Sequence, residues 1–587
     1  MAGTFETMRE ISENRRLQRY VVLISSLGFL ALTIAVLAVY SDPMKGYEYS
    51  IYNSTPLIFW LSIVFCQLTG ILLFYTYYGT RSRLWSVGLF QIILSNFVLM
   101  TLYVYKGFIY LERTDSLSYV GYAKDIVNLG HFPSFNFYPF ASIIMSMAGE
   151  AAGQGMIAMS QFLPALFFSA YTVGILCWAR TIISRPMFVT STMLASMPIF
   201  FAWFIPTLFN ETLCVLMLPL FFFILWKSMD GDARYKGLVA LFIVFFVIGH
   251  PLVAMTVLLF LGVVLINDLV TKRRIRSISP YMIAYGFVLL FGWIVFHALL
   301  VKDLRNIVEQ LLGFADGFTT FGSASSQASR MGILSTIRSV LMCVADDLAF
   351  VLMGMVAAVM IFRRGWRTHP MTLVVGLFLV GGAYLMAIVF MTYAHNPFRL
   401  INLNFIVIFT VPLVGYALYV LRTTGRTALA RVVSVVIVFA LVSTVFTAYQ
   451  DPNTVFPNGS ISRSEVTGSN WLVTDKDAID YTLYTVRTNP WRYADLIYGS
   501  AYKRTDYDIY TNDRETSAHF GSFLRSNTSG LSSVYLVITE YEEQAYSRTW
   551  AQTGKFGPQD FVLLNYGTTV DHVYIGGDFK VYARSPG

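Results

Sequence analysis

The sequence predicts an α-helical polytopic membrane protein, a helical bundle carrying a small C-terminal α/β domain. Three observations carry that prediction. Hydrophobic residues make up 56% of the 587 and charged residues only 13%, with a mean hydropathy of +0.59. Apolar runs recur with roughly the 20-residue length that crosses hydrocarbon. After Tyr449 those runs stop.

The runs fall near 20–40, 56–78, 84–105, 155–178, 187–205, 208–226, 236–249, 251–269, 281–301, 345–362, 371–393, 403–421 and 431–449. They give about thirteen spans, with twelve or fourteen left open. The long 236–269 run divides at Gly249-His250-Pro251, because proline cannot continue helical hydrogen bonding. The first run has no small-residue cleavage site and reads as a retained span. Residues 139–152 are too few to cross and predict a helix at the outer surface.

Basic residues gather in alternate connections: Arg15, Arg16 and Arg19; Arg81 and Arg83; Arg180 and Arg185; Lys227 and Arg234; Lys272 to Arg276; Arg363, Arg364 and Arg367; Arg422 and Arg426. That bias predicts a plasma-membrane protein with a cytoplasmic N-terminus. The sequons at Asn53, Asn458 and Asn527 all fall on the other, outer side. The net charge of +8 is therefore an orientation signal. No basic stripe with interleaved aromatics suggests nucleic acid. Cys66, Cys177, Cys214 and Cys343 lie in or beside apolar segments and suggest no disulfide framework. A phosphate-binding Walker loop, a dinucleotide fingerprint and zinc-protease spacing are all missing, which leaves an ATP-driven pump or a zinc protease without support.

Residues 1–450 thus form the membrane domain and 451–587 an outer soluble domain. In the latter, Val534–Ile538 and Phe561–Leu564 predict strands, and Val573–Tyr582 a hairpin around Gly576-Gly577-Asp578. Residues 302–342 combine an amphipathic piece with a Gly/Ser-rich tract, the composition of a flexible connection or a flap.

Lys106–Tyr138 is the first long polar interruption of the membrane domain, and it concentrates Glu112, Arg113, Asp115, Asp125 and His131 among tyrosines and phenylalanines. Ser116–Leu129 predicts a helix closed by Gly130, with Asp115, Ser118, Tyr122 and Asp125 on one face. Leu117, Val120, Ala123 and Val127 fall on the other. Asp115 alone reads as an N-cap, a position that also aims a carboxylate out of the helix end. Further polar groups sit at the outer ends of other spans: Asn210 and Glu211, His250, Asp346 and Asp347, then His395, Asn396 and Arg399. Singly they read as caps, a core histidine and an interface anchor; gathered at one face they point to a substrate path.

Such a set suits glycosyl transfer. A carboxylate can take the proton of an attacking hydroxyl, while Arg and His hold a departing phosphate. A phosphate leaving group needs no general acid, so one carboxylate with a cation clamp suffices.

The text Arg113-Thr-Asp115-Ser-Leu-Ser-Tyr119, followed by Tyr122-Ala-Lys-Asp125, Gly130 and Tyr138-Pro139, resembles the first outer loop of the GT-C superfamily of integral-membrane glycosyltransferases. Residues 47–60 (YEYSIYNSTPLIFW) and 249–252 (GHPL) are similar to its archaeal members. The resemblance spans about residues 20–450 and implies an inverting transferase with Asp115 as catalytic base. The donor it implies is a polyprenyl- or dolichyl-phosphate sugar, and the acceptor a hydroxyl on a glycan, lipid or protein. Arg113, Tyr119, Tyr122, Asp125, His131, Tyr138, Glu211, His250, His395 and Arg399 are the expected substrate contacts. Arg399, with His395 or His250, is the expected phosphate clamp. The loop lacks an Asp-x-Asp or Asp-Glu pair, so a divalent cation (Mg or Mn) on Asp115, Asp346 and Asp347 is left open. A missing Trp-Trp-Asp-Tyr-Gly signature favours single-sugar transfer over en bloc transfer to asparagine. The alternative is a transporter or flippase using the same polar cluster as a gate; missing internal repeats speak against it. A membrane protein with a glycan-binding outer domain is the third option.

Overall fold

The computed structural model describes residues 15–584 except 201, 230, 271–277, 298–300, 303–304, 306–332, 393–403, 455, 476–480, 502–512, 526–532 and 567–569. The helices that build the bundle are α1 (Arg15–Tyr40), α2 (Leu57–Tyr77), α3 (Leu84–Met100), α4 (Asp115–Leu129), α5 (Phe140–Ala152), α6 (Met156–Ile182), α7 (Pro186–Ala195) and α8 (Asn210–Ser228). They continue as α9 (Ala233–Gly249), α10 (Pro251–Val270), α11 (Pro280–Phe296), α12 (Ile333–Arg363), α13 (Thr372–Thr392), α14 (Asn404–Thr423) and α15 (Thr427–Val445). Among the described residues, 8 helices are long and apolar enough to cross a membrane, those of α1, α2, α6, α8, α10, α12, α14 and α15. These helices alone do not establish the thirteen expected spans; several of the predicted runs correspond to shorter apolar helices, among them α3, α7 and α11.

The bundle is apolar outward as well as inward. Val288, Val295 and Phe296 of α11 and Phe439 of α15 are each more than 70% exposed, an apolar surface of the kind hydrocarbon covers. Polar side chains turn inward, because hydrocarbon offers them no partner. Gln91 of α3 donates to Thr69 of α2 at 2.8 Å, and Ser25 of α1 donates to Gln91 at 2.5 Å. Gln67 donates to Asn96 at 2.7 Å. Helices α2 and α3 also touch backbone to backbone: a Cβ on Gly88 would stand 2.6 Å from the Gly70 carbonyl.

Two expectations about the bundle need correction or support from the local chain. The 187–205 run yields only the short α7, because Pro198 interrupts the ladder and the amide of Ile199 turns to Thr444 at 3.0 Å. The 236–269 run does divide at His250, whose backbone is extended between α9 and α10.

The tail folds around a five-stranded sheet: β1 (Tyr481–Thr485), β2 (Asp513–Glu515), β3 (Ser533–Thr539), β4 (Asp571–Gly576) and β5 (Phe579–Arg584), in the order β2-β1-β3-β5-β4. β2, β1 and β3 run parallel, and β5 and β4 close the sheet antiparallel. Both faces of β3 are buried by period-two alternation. Val534, Leu536 and Ile538 pack with Trp550, Phe556 and Phe561. Tyr535 and Val537 pack with Leu472, Ala494 and Val581. Helices α16 (Arg463–Asp475), α17 (Pro490–Tyr498) and α18 (Pro558–Tyr566) complete the tail.

Phe561–Leu564, expected as a strand, lies in α18 instead. Pro558 opens that helix, Asp560 accepts the amide of Gly557 at 2.7 Å, and Phe561 and Leu564 share one buried face three residues apart. The 573–582 hairpin forms as expected, with Gly577 at φ +60 in its turn.

The tail is stitched to the two loops that precede α2 and α4. Ile461 exchanges backbone hydrogen bonds with Ile109 and Tyr110 at 2.9 and 2.8 Å. The amide of Asn458 donates to the Tyr49 carbonyl at 3.1 Å, and Ser50 donates to Asp451. Asn458 is consequently 0% exposed, so of the sequons read as outer acceptors this one cannot receive a glycan in the folded chain. Asn53 stays exposed, and Asn527 lies outside the described residues.

Candidate active site

Helix α4 starts one residue earlier than its sequence suggests. Thr114 occupies the cap position but makes no side-chain cap. Glu112 does that work, its carboxylate accepting the Thr114 amide at 2.7 Å and the Ser116 hydroxyl at 2.8 Å. Burial pushes the Glu112 carboxyl above the ordinary glutamate range, against the lowering effect of those bonds. Asp115, read from the sequence as an N-cap, is instead the first helical residue. Its side chain is free to face outward and is 56% exposed. Gly130, at φ +77, closes the helix as expected.

The polar face of α4 is covered by the tail. Ser118 donates to Asp495 of α17 at 2.8 Å. Asp125 accepts the amides of Ser500 and Ala501, both at 3.0 Å. Lys124 caps the end of α17 through the carbonyls of Leu496 and Ile497 at 2.5 and 2.9 Å. Gly121 makes this approach possible, because a Cβ there would stand 2.6 Å from the Asp495 carbonyl oxygen. Leu117, Val120 and Ala123 form the apolar face as expected; Val127 does not and is 40% exposed.

Two ion pairs join this loop to the tail. Arg113 is buried, forks onto both carboxylate oxygens of Glu465, donates to the Ser460 carbonyl at 2.8 Å and lies 4.5 Å from the Tyr541 ring. Asp115 meets Arg492 of α17 at 2.7 Å, at a half-open edge. The Arg492 guanidinium also lies 4.3 Å from the Trp491 ring, which fixes its plane.

Behind Asp115, along α4, Tyr119 bonds Asn210 through its hydroxyl. Burial pushes that phenol well up, and Asp115 adds to the effect. Asn210 clamps the loop from the start of α8, donating to the Tyr138 carbonyl at 3.0 Å and accepting the Ala141 amide at 2.9 Å. Tyr138 stacks on His250 with ring centres 4.8 Å apart, and His250 stands 4.0 Å from Glu211. From α5, Ser142 and Ser146 each reach a carbonyl of α4 at 2.9 Å. From α11, Trp293 donates to the Phe137 carbonyl at 3.2 Å.

The structure therefore gathers Asp115, Tyr119, Tyr138, Glu211 and His250 in one connected set, with Tyr122 beside Tyr119 at 6.3 Å between rings. Arg113 and Asp125, expected as substrate contacts, hold the tail instead. Their carboxylate and guanidinium groups are consumed by buried partners inside the protein. His131 is exposed past Gly130, its ring against the Phe132 carbonyl at 3.1 Å. Arg399 and His395 lie outside the described residues, as does most of the 302–342 loop. Asp346 and Asp347 lie within α12. Among the described residues no group of three or more His, Cys, Asp or Glu side chains could hold a metal ion, so Asp115, Asp346 and Asp347 do not form the cation site left open by the sequence. The positive charge beside Asp115 is Arg492.

Arg492 and Trp491 were not among the residues singled out in the sequence. The text Asn489-Pro490-Trp491-Arg492 does carry the mark of a helix start, with proline in the first turn. Nothing in it says which loop that helix will face.

Neither a family model nor a curated protein matches the sequence. Among solved structures, the chain is similar to the Archaeoglobus fulgidus oligosaccharyltransferase tethered with an acceptor peptide containing the NVT sequon, at 11% identity and TM-score 0.47, over 85% of this chain and 74% of that one. It is also similar to ArnT from Cupriavidus metallidurans, in the apo state at 11% identity and TM-score 0.44, over 85% of this chain and 97% of that one. The undecaprenyl phosphate-bound form of that protein gives 12% identity and TM-score 0.45, over 85% and 98%. Likenesses of this size carry nothing about chemistry, which rests on the residues themselves.

Proposed function

We propose that this chain is a membrane glycosyltransferase that moves a sugar from a polyprenyl- or dolichyl-phosphate donor to an acceptor hydroxyl at the outer membrane face. One observation carries the reading. Of the carboxylates in the 106–138 loop, Glu112 and Asp125 are buried and engaged by hydrogen bonds within the protein, and only Asp115 opens to the surroundings. It does so beside a guanidinium and a run of tyrosines, on a helix clamped from α5, α8 and the tail.

In this reading Asp115 takes the proton from the acceptor hydroxyl. The acceptor oxygen forms a bond to the anomeric carbon from the face opposite the phosphate, the bond from that carbon to the phosphate oxygen breaks, and the lipid phosphate leaves with its electron pair. The product is inverted. Arg492 orients the carboxylate before reaction and is placed to take negative charge from the departing phosphate. Tyr119, Tyr122 and Tyr138 offer ring faces to sugar or lipid. The 1–450 unit would supply chemistry and the donor path, and the 451–587 unit one wall of the site.

The test is transfer of labelled sugar from a polyprenyl-phosphate donor pool in membranes, wild type against Asp115→Asn. Transfer that drops about 10²- to 10⁴-fold with unchanged melting supports the base. Transfer unaffected by the substitution removes Asp115 from the reaction, and a wild type inert with every donor turns the reading toward a transporter.

A further inference from the structure

At the ends of the bundle away from Asp115 lies a cavity of about 1060 Å³. Its walls come from the far ends of the same helices that frame the candidate active site. α8 begins at Asn210 beside Tyr138 and reaches the cavity at Lys227; α10 begins beside His250 and reaches it at Asn267. At 1.5 Å per helical residue the two places are about 25 Å apart. They are opposite faces of one bundle.

The lining combines three cationic side chains, Arg180, Lys227 and Arg367, with the rings of Tyr78, Trp85 and Trp226, and includes no carboxylate among the described residues. Those cations are distant in sequence: Arg180 and Lys227 stand in the last turns of α6 and α8, and Arg367 lies between α12 and α13. Arg180 and Arg367 are exposed. His369, also in the wall, is occupied: its Nδ1 accepts the Met371 amide at 3.2 Å and its Nε2 meets the Tyr416 hydroxyl at 2.8 Å. Arg180 and Arg367 face one cavity whose described lining holds no carboxylate, which attracts an anion, and indole and phenol rings at a helix end suit the boundary between headgroup and hydrocarbon. The volume far exceeds what one phosphate fills, and Ile182 and Leu373 add apolar wall.

We infer that this cavity is a binding site for a phosphate-bearing anion, held by Arg180 and Arg367, with the headgroup of an anionic lipid as its occupant. The site is separate from the transfer chemistry proposed above and stands without it. An anionic lipid seated there would tie the ends of α6, α8 and α13 together at the basic face.

The experiment uses the full chain reconstituted in vesicles of mixed phosphatidylcholine and phosphatidylglycerol, then extracted. Co-purifying lipid is measured by mass spectrometry for wild type, for Arg180→Gln/Arg367→Gln, and for Arg83→Gln/Arg431→Gln, which removes equal charge outside the lining. The expected result is phosphatidylglycerol enrichment that falls about tenfold in the first pair, through two lost charge-assisted contacts, and persists in the second. Equal retention in both pairs, or equal loss in both, overturns the site. In a second arm, inorganic phosphate is added to delipidated protein. A rise in melting temperature that Arg180→Gln/Arg367→Gln abolishes, without phosphatidylglycerol enrichment in the first arm, overturns the lipid in favour of a soluble phosphate. Should the double variant fail to fold, Arg180→Gln alone, at an exposed position, gives the same comparison with a smaller loss.

Discussion

The interface between the 106–138 loop and the tail has a floor and a rim, and the two are built from the same chemistry to opposite ends. On the floor, Arg113 and Glu465 are both buried, and both terminal nitrogens of the guanidinium are engaged by carboxylate and carbonyl oxygens, beside the Tyr541 ring. On the rim, two residues along, Asp115 and Arg492 meet at 2.7 Å with the carboxylate side chain 56% exposed. A buried pair is costly to break because one charge is left without water or partner. An exposed pair contributes at most about 1 kcal/mol, since solvent screens it and replaces it. The difference teaches that charge pairing alone does not mark a catalytic residue. What separates the two is whether a carboxylate oxygen is left for a substrate.

That comparison breaks most readily at the floor. Arg113→Met strands Glu465 and is expected to destabilise the loop and tail by about 3–5 kcal/mol, read as a lower melting temperature and faster proteolysis of the tail. The double variant Arg113→Met/Glu465→Leu removes both charges and recovers much of the loss. If the single variant melts like wild type, the floor is not the tether described here.

At the rim the expectation reverses. Arg492→Gln should lower transfer about 10²- to 10³-fold, as the loss of one preorganised donor does, while stability moves by no more than about 1 kcal/mol. A large drop in melting temperature with transfer per folded molecule intact would make this pair a second floor. A smaller effect sharpens the boundary between the two regions. Gly121→Ala inserts a methyl 2.6 Å from the Asp495 carbonyl and forces α4 away from α17. It should cost about 1–3 kcal/mol and lower transfer through the Asp115–Arg492 distance, without touching either residue.

The smallest effect belongs to Glu112. Its carboxyl is raised by burial, so its contribution to stability is present below the unfolded pKa, about 4.3, and is lost as pH rises through the raised folded value. Glu112→Gln holds the neutral form at every pH. The melting difference between variant and wild type should therefore grow in favour of the variant as pH rises through that window, and a flat difference would contradict the assignment.

Much of the scaffold was legible in the residues. Apolar runs announced the spanning helices, Gly249-His250-Pro251 announced the break, and Gly130 the end of α4, because hydropathy, proline and positive φ act over a few neighbouring residues. Phe561–Leu564 was misjudged for the converse reason: four apolar residues fit a strand or a helix, and Gly557-Pro558 with Asp560 decided for the helix. The 187–205 run is apolar enough to predict a span, but Pro198 ends its helix early, because hydropathy does not register a missing backbone donor.

For the candidate site, the sequence by itself determined that carboxylates, histidines and tyrosines would collect at one end of the bundle. It could not rank Glu112, Asp115 and Asp125, which differ in nothing local enough to see. Tertiary structure decided that, by spending Asp125 on the amides of Ser500 and Ala501 and Glu112 on the start of its own helix, and by setting Arg492 against Asp115. The physical reason is separation along the chain. Arg492 lies far along the chain from Asp115, and no periodicity or composition encodes a contact between segments that only a folded interface brings together.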